Sequence, residues 1–212
     1  MKARILIADD HELVRDGLRG VLVAHGDWEI CAEAVDGREA VERARELRPD
    51  VAILDYSMPQ LNGLEATRQI CAAVPETEVL ILTMHDSESL VREVLAAGAR
   101  GFILKSDARR VLVQAVESLL RHRPFFTEHV SELLLQGYLG PDGIKGRGPL
   151  TPRERQIVQL VTEGRSSKEI ARLLNLSVKT VETHRANVLH KLGLESVTDL
   201  VRYAVRNKII EA

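Results

Sequence analysis

The sequence predicts two unlike domains in series, an open doubly wound sheet of five parallel strands and then a small domain of four helices. Three observations carry this. Up to Arg121, short apolar runs alternate with stretches whose apolar residues recur every three or four positions. Residues 140–149 then hold four glycines and two prolines in ten positions, too many for any regular element. Beyond them come three helix-start signals and no strand-like run. The 212 residues suit two small domains, here taken as 1–122 and 150–212 with residues 123–149 as a linker carrying a short helix.

The strands are expected at residues 4–8, 28–34, 51–54, 79–82 and 101–104. Four of the five read as strands buried on both faces, as a parallel sheet requires. Amphipathic helices are expected at 13–23, 40–47, 64–73, 90–97 and 111–120. Right-handed crossovers then place helices on both sides of the sheet. One further helix is expected over 127–139. In the second half, Thr151-Pro152-Arg153-Glu154 and Ser166-Ser167-Lys168-Glu169 read as capping boxes, and Ser177 as a third cap. Gly164 and Asn175 stop the preceding helices. The second and third helices are therefore joined by a short turn, a helix-turn-helix, and a last helix over 197–207 closes the domain.

Composition excludes several classes. Hydrophobic residues at 45% and charged residues at 28% exclude wholesale disorder, and 3% aromatics argue against a stacking platform for single-stranded nucleic acid. Apolar runs of five to seven residues are far too short to cross a membrane. With no signal peptide legible after Met1, and with Cys31 and Cys71 at no redox or metal spacing, a soluble cytoplasmic protein is expected. From Gly148 onward there are 11 of the 29 Lys and Arg but 7 of the 31 Asp and Glu, a local balance of +4 against -6 for the rest. The basic half suits contact with a phosphate backbone.

In an open α/β sheet, ligands bind beyond the carboxyl ends of the strands. Those ends here carry Asp9 and Asp10, Asp55, Thr83 and Lys105. Three clustered carboxylates repel one another and call for a cation. Oxygen-only ligation, with no His or Cys ending a strand, suits Mg²⁺ better than zinc. One carboxylate can then act as a nucleophile toward phosphorus, with Thr83 and Lys105 holding the phosphoryl oxygens.

The order Asp9-Asp10, Asp55-x-x-x-Pro59, Gly63, Thr83, Phe102-x-x-Lys105 resembles the receiver domain of two-component response regulators, over about residues 1–121. The resemblance implies a flavodoxin-like sheet of order 2-1-3-4-5, with Asp55 as phosphoacceptor. It implies Asp9, Asp10, Asp55 and the Ser57 carbonyl around Mg²⁺. Thr83 and Phe102 match a switch pair, and Lys105 the residue contacting the phosphoryl group. Ser57 and His85 fall at positions that tune dephosphorylation, and Met84 is bulkier than the small residue often found after the switch threonine. Phosphorylation is expected to draw Thr83 toward Asp55, turn Phe102 inward and alter the face around 91–97 and 111–119.

The third helix of the second domain is expected to expose Lys179, Glu182, Thr183, Arg185, Ala186 and Asn187, and to bury Val178, Val181, Val188, Leu189 and Leu192. Short polar and cationic side chains on such a face suit base reading in a major groove. Lys168, Arg165, Lys191 and the amides at the Ser166 helix start are candidate phosphate contacts. His184 and His190 read as packing or surface residues, and Trp28 as core. From Leu150 to Ala212 the strings around Thr151, Ser166, Ser177 and Lys191-Leu192-Gly193 are similar to the LuxR-type helix-turn-helix. With the receiver, this is the architecture of the NarL/FixJ family. That resemblance implies DNA contacts at Lys179, Glu182, Thr183, Arg185 and Asn187, and a last helix (Val197, Leu200, Val201, Ala204) that meets its twin on operator DNA. A sensor histidine kinase and RNA polymerase are the implied protein partners. Several relatives carry Lys where Glu182 stands, so their operators do not transfer.

Two other functions fit parts of this pattern. A Mg²⁺-dependent phosphatase or phosphotransferase needs an acid/base carboxylate two residues after the nucleophile, where Ser57 stands. An adaptor that has lost DNA binding is opposed by Lys179, Thr183 and Asn187.

Overall fold

The structure, a computed structural model, describes residues 2–85, 87–132, 150–194, 196–207 and 209–210. The chain divides into two compact units, Met1–Gly146 and Arg147–Ala212. The first begins β1 (Ala3–Ala8), α1 (Glu12–Val23), β2 (Trp28–Ala34), α2 (Gly37–Leu47), β3 (Val51–Asp55) and α3 (Gly63–Ala73). It continues β4 (Glu78–Thr83), α4 (Glu88–Ala96), β5 (Gly101–Leu104), α5 (Lys105–Leu120) and β6 (Phe125–Phe126). The strands form one parallel sheet in the order β2-β1-β3-β4-β5-β6.

The expected order is present, but the sheet has six strands rather than five. Phe125 and Phe126 pair in parallel with Gly101 and Phe102. Two residues after a proline give no alternation to read, so this edge strand is invisible to periodicity.

Strand alternation divides the core into two layers. Ile5, Ile7, Val51, Ile53, Leu80, Leu82 and Ile103 face one side with Leu18 and Leu22 of α1 and the Val111–Leu119 stripe of α5. Leu6, Ala8, Ala52, Leu54, Val79, Ile81 and Phe102 face the other with apolar residues of α2, α3 and α4. Trp28 is buried in the first layer, its ring stacked on His25 at 3.8 Å. Cys31 and Cys71 are free thiols. The α5 helix starts at Lys105, six residues before its apolar stripe becomes legible, because its first turn has no side-chain cap. Residues 128–132 are helical; the rest of the helix expected over 127–139 and the 140–149 linker lie outside the described residues.

The second unit contains α6 (Pro152–Thr162), α7 (Ser167–Leu173), α8 (Val178–Leu192) and α9 (Val197–Arg206). Both capping boxes form, on Thr151 with Glu154 and on Ser166 with Glu169, and Ser177 caps α8 through the Thr180 amide. Gly164 (φ 82) and Asn175 (φ 52) take the left-handed conformation that ends a helix. Ile157, Val158, Leu160, Ile170, Val181, Val188, Leu200 and Ala204 form its core. Among the described residues, no helix is long and apolar enough to cross a membrane.

Candidate functional site

The C-terminal ends of β1, β3, β4 and β5 bring four of the predicted residues to one edge of the sheet. Asp9 follows β1 and is fully buried, Asp55 ends β3 at 3% exposure, and Thr83 ends β4 at 1%. Lys105 follows β5 directly, and its ammonium lies 2.8 Å from Asp9 Oδ2 and 3.0 Å from Asp55 Oδ1. Burial first, and the Asp9 charge second, push the Asp55 carboxyl up to about 7, against the opposing pull of Lys105. Burial alone would lower the Lys105 pKa, but its contacts with Asp9 and Asp55 raise it above the ordinary lysine range. A charged lysine between two buried carboxylates is the electrostatic centre of this pocket.

The loop after Asp55 is held from below. Gly63 N–H donates to the Tyr56 carbonyl at 2.8 Å, and a Cβ on Gly63 would stand 2.2 Å from the Asp55 carbonyl oxygen. Only glycine lets α3 start this close to the β3 end. Asn62 caps α3 by accepting from the Glu65 amide. Gln60 (φ 62) donates to Asp36 Oδ2 at 2.6 Å, and Asp36 Oδ1 caps α2 through the Arg38 and Glu39 amides. Asp36 and Gln60 were not among the predicted site residues. The Asp36-x-x-Glu39 spacing is a readable cap, whereas nothing local announces Gln60.

Asp10 is exposed, at the rim, and half-buried Ser57 stands in the loop two residues after Asp55. His11, also unpredicted, turns its Nδ1 to within 2.8 Å of Asp10 Oδ1 and 3.4 Å of Asp9 Oδ1. An imidazole thus sits beside the carboxylates, just beyond the end of β1. Buried Asp9 Oδ2 accepts no aligned hydrogen bond despite its charge contact with Lys105. An under-satisfied buried anion, two further carboxylates and water access at Asp10 fit a hard divalent cation such as Mg²⁺. Thr83 Oγ1 accepts from the His85 amide at 3.1 Å, and Met84 is 65% exposed. Phe102 is fully buried in the core layer that holds Leu90, Val91 and Val94 of α4. In this conformation the Phe102 ring already lies inside.

On the other unit, α8 exposes Lys179, Glu182, Thr183, Ala186 and Asn187 along one face. Three predicted features change. Arg185 is half-buried and donates from Nη1 to Ser167 Oγ at 2.9 Å, tying α8 to the start of α7. The Ser166 amide and hydroxyl both donate to the Glu169 carboxylate at 2.8 and 2.6 Å, so this residue is spent inside its capping box and an anion already occupies the helix start. Val178, expected in the core, is 37% exposed because it begins the helix. Lys191 reaches Glu154 Oε2 at 2.8 Å. Burial opposes ionisation of Glu154, but Lys191 and Thr151 outweigh it and hold the carboxyl below its ordinary range. Lys168 is exposed. In α9, Leu200 and Ala204 are buried in the core of their own domain, which removes them from any surface contact; Val197 (43%) and half-buried Val201 remain accessible.

The geometry defines a charged, strand-end carboxylate pocket on one domain and a helix-turn-helix on the other. Residues 5–117 match the response regulator receiver domain, and residues 148–204 match the bacterial regulatory proteins of the luxR family. The oxygen regulatory protein NreC of Staphylococcus aureus is 39% identical, over 98% of this chain and 99% of its own. The RcsB response regulator of Salmonella typhimurium is similar in structure, with a TM-score of 0.60 at 30% identity over 97% of this chain and 98% of that one. A structure of two RcsB dimers bound to two parallel DNAs matches likewise, with a TM-score of 0.60 at 30% identity over 96% and 98%. The chain belongs to the NarL/FixJ family of two-component response regulators, DNA-binding regulators of transcription that join a receiver to a LuxR-type helix-turn-helix.

Proposed function

We propose that the protein regulates transcription in the cytoplasm through phosphorylation of Asp55 by a sensor histidine kinase, and that it binds operator DNA as a dimer and there meets RNA polymerase. The observation that carries this reading is the Lys105 ammonium held between the buried Asp9 and Asp55 carboxylates at 2.8 and 3.0 Å. An Asp55 oxygen attacks phosphorus, forming an O–P bond as the N–P bond of the kinase phosphohistidine breaks, and the leaving imidazole takes up a proton. Lys105 stands where it can exchange a carboxylate partner for a phosphoryl oxygen, and the Thr83 hydroxyl supplies a hydrogen bond to another. Asp9, Asp10, Asp55 and the Ser57 carbonyl hold Mg²⁺, which when bound supplies positive charge against the carboxylates and the transferring group. The working division is receiver 1–122, linker 123–149 and DNA-binding domain 150–212.

Lys179, Glu182, Thr183 and Asn187 enter the major groove, with Lys168 on the backbone. Glu182 opposes phosphate and is suited to accept from a cytosine amino group. Arg185 acts by positioning α8 on α7. Pairing through α9 uses Val197 and Val201. The RcsB dimers on DNA support a two-fold arrangement, in which half-sites about one helical turn apart multiply affinity. The test is acyl-phosphate treatment with Mg²⁺, followed by a shift assay on genomic fragments. Asp55 labelling with a gain in DNA affinity is expected. Absence of label on Asp55 would sink the reading.

A further inference from the structure

The α1 helix carries more apolar surface than its own core uses. Leu18 and Leu22 are buried against the sheet, yet Leu13, Gly17, Gly20 and Ala24 follow at helical spacing along an exposed line. Leu13 is 85% exposed. Beside this line α1 and α5 part to leave a groove of about 670 Å³, floored by Val14, Leu18, Val21 and Leu112. A lone exposed leucine needs no explanation, but an apolar groove beside one marks a surface that another surface covers.

The groove is kept open at Gly17 and Gly20. Both lie in the interior of α1, where glycine is the poorest helix former after proline. A Cβ at either would meet nothing within 4 Å, so no packing inside this domain calls for glycine there. A side chain would, however, hold an approaching helix away.

The charges on the two walls select what can approach. Asp16 stands on α1 and Arg109 on α5, both exposed and both lining the groove. Among the described residues Arg109 makes no ion pair, and Arg19, which pairs with Asp16, is shared with Glu33. One acid and one base leave the lining without net charge, which suits neither nucleic acid nor an anionic membrane surface. They suit a second copy of the same groove, because a two-fold axis sets each wall against the opposite wall of its partner.

We infer that the α1–α5 groove is a self-association surface, on which a second copy of this chain packs about a two-fold axis, Asp16 of each copy meeting the partner's Arg109. The apolar floor supplies the affinity, and the two charge pairs set the register. This pairing is separate from the α9 contact and independent of chemistry at Asp55. It puts two DNA-binding domains into one particle, so that the second half-site of an operator is bound intramolecularly.

The test is sedimentation of the full chain over a concentration series, in a Val201→Asp background that removes the α9 contact. The background chain should still associate reversibly. Asp16→Arg and Arg109→Asp should each weaken that association roughly tenfold or more, since each sets like charges together twice per dimer. The double variant Asp16→Arg/Arg109→Asp should return it to within about threefold of the background. Gly17→Gln/Gly20→Gln should raise the melting temperature through helix propensity and abolish association, which general damage to the fold cannot do together. A background chain that stayed monomeric would overturn the pairing and leave the groove to a partner of another kind. Single reversals that associated normally, or a double reversal that stayed weak, would overturn the Asp16–Arg109 register and with it the two-fold seat. Association untouched by the two glutamines would overturn the groove as its place. Absence of Asp55 labelling in the wild-type chain would instead sink the proposed function, with the groove pairing still standing.

Discussion

The phosphoacceptor pocket and the outer face of α8 solve opposite problems. In the pocket, charges are withdrawn from water and must be satisfied by one another, so Asp9, Asp55 and Lys105 are fixed to within 3.0 Å. On α8 the side chains stay in water, and each is free to take a partner within its own domain or outside it. Arg185 has taken Ser167, whereas Lys179, Glu182 and Asn187 remain exposed. Burial fixes geometry, while exposure fixes only which side chains are candidates.

The comparison breaks most sharply at Asp55. Asp55→Asn should abolish labelling by acyl phosphate, since an amide is nearly isosteric but a poor nucleophile; label persisting at wild-type level would remove Asp55 as acceptor. The same variant tests the buried charge. A carboxyl pushed up to about 7 gives stability that is fully present below its ordinary value near 3.8 and is lost as pH rises through 7. Urea titrations in chelator should show wild-type stability falling across that window, and Asp55→Asn should flatten the fall. An equal slope in both proteins would mean that Asp55 ionises in the pocket at no cost.

Next in size are the packing differences. Leu200→Ala should cost about 2–5 kcal/mol of unfolding free energy in the DNA-binding domain. Val201→Asp should spare most of that stability and weaken self-association instead. Equilibrium denaturation with sedimentation separates the two, and a Val201→Asp chain that associated normally would move the dimer contact elsewhere. Gly63→Ala should cost about 1–3 kcal/mol, because its Cβ would be driven against the Asp55 carbonyl. A neutral effect by denaturant melting would show that the α3 start can yield.

The smallest effects sharpen the other half. Lys179→Ala should lower the salt slope of DNA binding by about one unit and leave domain stability untouched. Arg185→Ala should instead lower the melting temperature along with affinity, since it releases α8 from α7. If the two variants behaved alike in both measurements, the distinction between reader and strut would fail.

The pocket is legible because a parallel sheet delivers one residue per strand end in sequence order, so the amino-acid sequence alone places Asp9, Asp55, Thr83 and Lys105. His11, Asp36 and Gln60 escaped because their roles depend on where a loop or cap turns, a tertiary fact with no period. In the second domain the caps of all three leading helices were readable, since Ser and Thr act locally on amides three residues on. Which side chains are already spent was not readable. Ser166 and Glu169 look the same in sequence whether or not a phosphate approaches, and the split of α9 between its own core and the surface depends on how α6 lies across it.

The Asp36 carboxylate has a consequence for how this fold can vary. One oxygen starts α2 and the other anchors Gln60, five residues past Asp55, so the β3–α3 loop is measured against the beginning of a different helix. An insertion or deletion in that loop would unseat the cap of α2 as well as displace the loop itself. Deuterium uptake at the Arg38 and Glu39 amides therefore becomes a gauge of loop position, readable at a distance from the reacting atoms. Loop length here is inherited together with the α2 start.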